Sequence, residues 1–138
     1  MLNHITIMGR LTRDPELRRT GSGVAVASFT IAVDRDFTDK QSGEKETDFI
    51  DCVAWRGTGE FVSKYFNKGR MAVVSGRLQI RNWTDKDGNK RRTAEVVADN
   101  VYFGDSNKDT QHTNAGTQPQ QKPQDFVVMD DDDAQLPF

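Results

Sequence analysis

A single cysteine, Cys52, is all the thiol chemistry in this chain. No intrachain disulfide and no cysteine metal cluster can form, which suits a reducing compartment. The two histidines, His4 and His112, are far apart, one on an expected strand and one in a polar stretch, so neither has a visible partner. Gly21-Ser22-Gly23 lacks the downstream Gly of a dinucleotide loop and the Gly-Lys-Ser/Thr of a P-loop. It also precedes an expected strand, where a phosphate motif needs a helix, so turn chemistry suffices for it. With no paired acids, nucleophile–base set or ligand cluster in view, the expectation is no catalytic residue, no metal and no cofactor. No apolar run approaches the roughly 18 residues that cross a bilayer. Met1-Leu2-Asn3-His4 begins an alternating pattern without a charged lead or a small-residue cleavage site. Secretion and membrane insertion are therefore not expected, and a cytoplasmic location is.

An excess of charge of one sign is missing too. The 138 residues carry a formal −2, from 19 Lys and Arg against 21 Asp and Glu. That average describes neither part of the chain. Residues 1–104 hold 17 basic and 14 acidic side chains, a net of +3, whereas residues 105–138 hold 2 Lys and 7 Asp, a net of −5. Apolar residues divide the same way, 40 in the first part and 8 in the second, so only residues 1–104 can build a core. From residue 105 the chain turns to Asn, Gln, Thr, Asp, Gly and Pro, with Gln118-Pro119-Gln120-Gln121-Lys122-Pro123-Gln124 at its centre. Such a composition cannot offset ordering entropy by burial, which predicts a disordered polar linker over 105–129 and an acidic tip over 130–138.

What is present is a strand pattern. From Asn3 to Leu11, Ile5, Ile7, Gly9 and Leu11 alternate with His4, Thr6, Met8 and Arg10, the period of a partly buried strand. Asp14-Pro15-Glu16 and Gly21-Ser22-Gly23 mark turns before a second strand, Val24 to Val33. A polar loop from Asp39 to Glu46 leads to a third, Thr47 to Trp55. Over residues 58–68 the period changes: Phe61, Val62, Tyr65 and Phe66 form one apolar stripe, with Thr58 as N-cap, Glu60 in the first turn, Lys68 in the last and Gly69 as the stop. That predicts a helix of about three turns. Met71 to Arg81, the Asp87-Gly88 turn and Thr93 to Phe103, broken near Asp99-Asn100, supply strands four and five. Five short strands with one helix between the third and fourth match an all-β OB-fold, a partly open Greek-key barrel.

Sequence-tolerant binding of single strands needs cations along the backbone path and flat aromatic faces for unpaired bases. On the third strand the period of two places Phe49, Asp51, Val53 and Trp55 on one side and Ile50, Cys52 and Ala54 on the other. The second side reads as core or interface; the first, with aromatics at both ends and Asp51 between them, reads as surface. Taken singly, Phe49 and Trp55 fit a core as well as a platform. Residues 77–92 contain Arg77, Arg81, Lys86, Lys90, Arg91 and Arg92 against Asp85 and Asp87, a local net of +4. Trp83, between Asn82 and Thr84, and Phe37, between Asp36 and Thr38, have polar neighbours on both sides, which favours binding over core. A basic run such as Lys90-Arg91-Arg92 alone is usually a solvated face; the conjunction of barrel order, loop aromatics and a basic hairpin points to nucleic acid. Arg10, Arg18, Arg56 and Lys68 join the hairpin cations as candidate backbone contacts. Phe29, Phe61, Tyr65, Phe66 and Phe103 are assigned mainly to packing by their periodicity.

Asp130, Asp131, Asp132 and Asp133 alone would be a solubilising tail. Leu136-Pro137-Phe138 puts two apolar side chains at the end of this anionic segment, and Pro137 reduces the freedom lost on docking. A short peptide of this kind suits an apolar pocket rimmed by Lys or Arg on another protein, with Phe138 as anchor and the charges as guides. The same charge should avoid strong contact with nucleic acid.

These residues resemble the bacterial and phage single-stranded DNA-binding protein family over nearly the whole chain. The matching stretches are Gly9-Arg10-Leu11-Thr12-Arg13-Asp14-Pro15-Glu16-Leu17-Arg18, residues 24–33, Asp48-Phe49-Ile50-Asp51-Cys52-Val53-Ala54-Trp55, Lys68-Gly69, residues 76–83, and the acidic end with Pro137-Phe138. The resemblance implies an OB-fold that assembles into a homotetramer and wraps single-stranded DNA in replication, recombination and repair, with the tip recruiting genome-maintenance proteins. It implies location at the nucleoid, or in a host cytoplasm for a phage protein. The family's base-stacking aromatics fall on Phe37, Phe49, Trp55 and Trp83. Two of these are Phe where an enterobacterial relative has Trp, and Ile50 replaces that relative's interface His. Ala134-Gln135 lengthens the spacing between the Asp run and the anchor by two residues relative to the usual family tail.

Overall fold

The computed structural model describes residues 1–106, which form six strands and one helix: β1 (Ile5–Leu11), β2 (Glu16–Arg19), β3 (Ala25–Thr38), β4 (Lys45–Trp55), α1 (Arg56–Tyr65), β5 (Met71–Thr84) and β6 (Lys90–Phe103). Alternation decides which side of each strand turns inward. On β3, Ala25, Ala27, Phe29 and Ile31 are buried, while Val26, Ser28, Thr30 and Ala32 between them remain half-buried. On β4, Cys52 and Ala54 are buried and Phe49, Asp51 and Trp55 are exposed.

β1 runs antiparallel to β5, β5 to β6 and β4 to β3, and β6 lies parallel to β4 through Cys52↔Val96 to Ala54↔Ala98. β3 returns to β1 through Arg10↔Ala32 and Leu11↔Ile31. Five strands thus close into a barrel, and β2 adds a short sixth at the edge of β3. With its single helix between β4 and β5, this is the expected OB-fold. Leu11, Phe29, Ile31, Cys52, Val74 and Val96 fill the interior, with Val62 and Phe66 closing it from α1 and the turn beyond.

Helix α1 packs closely because the strands beneath it carry small residues. Ala27, Ala54, Ala98 and Gly76 form one cross-strand row. At buried Gly59 a Cβ would stand 2.5 Å from the Ala54 carbonyl oxygen and 3.2 Å from the Ala27 nitrogen, so only glycine allows this approach.

The helix differs from its expected limits. It starts at Arg56, its N-cap is Trp55 with no side-chain cap, and its last-turn cation is Lys64. Thr58 is not a cap: its hydroxyl donates to the Asp99 carbonyl at 3.3 Å, tying α1 to β6. The C-cap is Phe66, whose N–H donates to Val62 O at 3.0 Å, and Gly69 lies in the following turn, donating to Leu11 O at 2.7 Å. β2 begins at Glu16, expected in a turn, and continues through residues 17–19, for which the sequence predicts no element; it forms by pairing with Ala25 to Ser28 on β3. The break expected near Asp99-Asn100 is a bulge: Asn100 pairs with Ser75 and Ala98 with Gly76, leaving Asp99 extra. The expected linker, 105–129, lies outside the described residues apart from Asp105 and Ser106, as does the whole of the tip, 130–138.

Candidate nucleic-acid interface

Three rows of side chains cross the outer face of the barrel. Arg18, Val26 and Trp55 stand in register on β2, β3 and β4, so a guanidinium and an indole share one face two strand spacings apart, about 10 Å. Thr30 and Asp51 face each other, the Thr30 hydroxyl donating to Asp51 Oδ1 at 2.8 Å. Arg10, Ala32 and Phe49 form the third row across β1, β3 and β4. Phe49 is 68% exposed and Trp55 45%, which settles both as surface aromatics.

The β5–β6 hairpin stands against this face. Alternation along β5 puts Arg77, Gln79, Arg81 and Trp83 on one side, opposite Val97, Glu95, Thr93 and Arg91. Gln79, Arg81, Thr93 and Glu95 meet Arg13, Arg18, Asp51 and Trp55 around an open groove of about 540 Å³. Trp83 continues the same side outward, its indole N–H donating to Thr93 Oγ1 at 2.8 Å. That bond orients the ring, and a second concavity of about 480 Å³ gathers Trp83 with Lys90, Arg91 and Arg92. Trp83 lies within β5, not in the turn, because pairing runs out to Thr84↔Lys90.

The turn is built by Asp85. Its Oδ1 accepts from the Asp87 and Asn89 amides at 3.0 and 2.8 Å, and its Oδ2 accepts from Arg91 Nε at 3.0 Å. The Asn89 amide above all, then Arg91, holds this carboxyl below its ordinary value. Gly88, at φ 81°, supplies the left-handed position that the turn requires.

Phe37 projects differently. Asp34 pairs with Thr47 and Thr38 with Lys45, so residues 35–37 oppose Glu46 alone and bulge outward, leaving Phe37 87% exposed. Arg35 braces this arm. Its guanidinium forks onto Asp48 at 2.9 and 3.0 Å and also bonds Glu46, which raises its own pKa and lowers that of Asp48.

The expected cations therefore separate into groups. Arg18 and Arg81 line the groove, Lys90, Arg91 and Arg92 the hairpin concavity, and Arg77 bonds Gln79 on the same side. Arg10 shares a row with Phe49 and donates to Gly69 O at 3.1 Å. Arg56 and Lys68 lie elsewhere: Arg56 makes the corner into α1 at φ 56° and lines a hollow with Arg19 and Glu60, and Lys68 sits in the turn held to Asp14. Sequence reasoning missed Arg13 in the groove, and also the acids that share it. Glu16 pairs with Arg18 at 2.8 Å and Glu95 with Arg81 at 3.9 Å. The two-residue Glu16–Arg18 spacing was a readable signal for the first; the second depends on hairpin register.

Among the described residues no group of three or more His, Cys, Asp or Glu is placed to hold a metal ion. Cys52 lies buried beneath the groove, where desolvation, with a smaller contribution from Asp51, pushes its thiol up to about 12. Its Sγ donates weakly to Ile50 O at 3.7 Å. Phe61, Tyr65, Phe66 and Phe103 form one ring cluster with centroids 4.7–5.9 Å apart; the packing assignment holds for buried Phe66 and partly buried Phe61, whereas Tyr65 and Phe103 are as exposed as Trp55.

Barrel, groove and aromatic-cationic hairpin together define an OB-fold protein whose open face carries exposed rings and guanidinium groups. Comparison of sequences narrows the class. Residues 2–104 match the model of the single-strand binding protein family, and the chain belongs to that family. It is 53% identical over 103 residues to single-stranded DNA-binding protein 2 of Listeria monocytogenes, covering 75% of this chain and 64% of that protein. Single-stranded DNA-binding protein 1 of Staphylococcus aureus is 54% identical over 103 residues, 75% of this chain and 65% of its own length. Single-stranded DNA-binding protein A of Bacillus subtilis is 52% identical over the same number, 75% and 59%. The matched part thus spans under two thirds of each of these relatives.

Proposed function

We propose that this protein binds single-stranded DNA with little sequence preference, without catalysis, in replication, recombination and repair. The observation that carries the reading is the outer face on which Trp55 stands in register with Arg18, with Arg81 and Trp83 following on the facing hairpin. Bases stack on Trp55, Phe49, Trp83 and Phe37 while phosphates exchange with Glu16 and Glu95 for Arg18 and Arg81. Family membership and the names of the relatives support the same ligand.

The test is a titration with labelled oligonucleotides. Trp55→Ala and Trp83→Ala should each weaken binding by about 1–3 kcal/mol, the usual worth of one stacked base, and affinity should fall as salt rises. Equal affinity of wild type and the double variant would remove the assignment.

Assembly into a homotetramer is part of the proposal. The first half of β1, Ile5–Gly9, pairs with β5 alone, so its other backbone edge is open to strand addition by a second copy. Met8, Val73 and Tyr102 form an outer cross-strand row in which Met8 and Tyr102 are about half exposed, an apolar face suited to burial between copies. Mass determination in solution checks this. The tip, Asp130 to Asp133 with Leu136, Pro137 and Phe138, is proposed to recruit genome-maintenance proteins. A cytoplasmic site at the nucleoid follows from the ligand. No helix among the described residues is long and apolar enough to cross a membrane.

A further inference from the structure

We propose that Thr93 is a positioning residue for strand binding: its hydroxyl takes up the indole N–H of Trp83 and sets that ring, before any ligand arrives, as a stacking platform beside the groove. The inference rests on the single-strand reading above and deepens it. Trp83 sits near the end of the β5–β6 ladder, opposite Arg91, with Asn82 and Thr84 beside it in the chain. Among the described residues no other ring packs on it, and it is 45% exposed. An aromatic side chain in that setting has several staggered positions to choose from. One hydrogen bond selects among them. Thr93 stands opposite Arg81, two residues nearer the barrel than Trp83, so the 2.8 Å bond from indole Nε1–H to Thr93 Oγ1 runs diagonally and tilts the ring inward along the hairpin. Thr93 lines the groove with Arg18, Trp55 and Arg81, whereas Trp83 lines the outer concavity with Lys90, Arg91 and Arg92. The bond therefore ties the two hollows together, and a strand leaving the groove meets the ring in a fixed place.

An indole has one hydrogen-bond donor and no acceptor. With that donor engaged by Thr93, Trp83 presents a base with its π face alone, which every base can use, and makes no edge contact that would select one of them. The same bond removes rotamer freedom from the unbound protein. Immobilising one free side chain on binding weakens affinity by about twofold to tenfold, and a ring already held escapes that loss.

The experiment titrates the full chain with labelled oligo(dT) at one salt concentration, as wild type, Thr93→Val, Thr93→Ser, Trp83→Phe and the double variant carrying Trp83→Phe and Thr93→Val. Valine keeps the shape and β-branching of threonine but accepts no hydrogen bond, so Thr93→Val should weaken binding about twofold to tenfold, and Thr93→Ser, which retains the hydroxyl, should restore most of it. Phenylalanine has no N–H, so in the Trp83→Phe background Thr93→Val should produce no further loss. Trp55→Phe leaves Trp83 as the only tryptophan. In that background its indole N–H resonance should exchange slowly with water when residue 93 is threonine and fast when it is valine. A loss from Thr93→Val of equal size with and without the indole would mean that Thr93 touches the strand or supports the fold, and would overturn the positioning role. Unchanged affinity or an unchanged indole resonance in Thr93→Val overturns it too, and in each of these cases single-strand binding stands. Failure of the wild type to bind the oligomer overturns the parent reading as well.

Discussion

Cys52 is the residue whose chemistry the fold changes most. Its thiol sits among Phe29, Val96 and the barrel interior, and burial keeps it neutral far above the ordinary value of 9.0, up to about 12. A raised folded-state pKa contributes stability that is fully present below 9.0 and is lost progressively as pH rises toward 12, since the unfolded chain ionises first. The native protein should therefore resist a disulfide-exchange reagent at pH 8 and react only with unfolding, and Cys52→Ala should flatten the stability profile between pH 9 and 12. Rapid labelling of folded protein would contradict the burial. Period-two spacing with Ile50 and Ala54 already implied that Cys52 faces inward. The same spacing left Phe49 and Trp55 undecided, because alternation names two faces without saying which one another layer covers. The acid partners of Arg18 and Arg81 divide likewise, one two residues away on its own strand and one a hairpin apart.

Elements show where local signals compete with packing. Helix propensity alone favours alanine over Gly59 by about 0.5–1 kcal/mol. The obstructing atoms are backbone, however, and overpacking of this kind costs about 1–3 kcal/mol, so Gly59→Ala should lower the midpoint of thermal or urea unfolding. A rise in that midpoint would show that α1 can lift off the strands at little cost. Thr58, Glu60 and Gly69 had the composition of a helix frame, yet the helix begins two residues before Thr58 and ends before Gly69. Its start follows from the end of β4, since Trp55 completes pairing with Val26 and the chain must turn at once. The short strand β2 was hidden for a related reason: Glu16–Arg19 has no apolar alternation and owes its form to the edge of β3. The extended β3–β4 and β5–β6 arms were legible only in part, because beyond the barrel their pairing is held by Arg35–Asp48 and Asp85–Arg91 instead of by hydrophobic burial.

At the scale of the whole molecule, charge separates the two ends of the chain, +3 over residues 1–104 and −5 over residues 105–138. Deleting residues 130–138 should leave oligonucleotide affinity intact or slightly raised at low salt, where a tethered polyanion competes most, and should abolish capture of partner proteins. A large loss of oligonucleotide binding would place part of the binding face in the tip and refute the division of labour. Composition, periodicity and the placement of glycines determined by themselves the barrel class, the two alternating faces of each long strand, the helix between the third and fourth long strands, and the candidate aromatics and cations. Those properties reside in short windows of chain, where a period of two or an apolar stripe is complete within ten residues. Only the tertiary structure decided that Trp55 lies in register with Arg18, that the facing hairpin brings Arg81 and Glu95 to the same groove, that Arg56 and Lys68 stand apart from it, and that Asp51 is the groove acid left without an arginine. Each of those depends on pairing between residues distant in sequence, and such register is set by closure of the barrel, not by any local pattern.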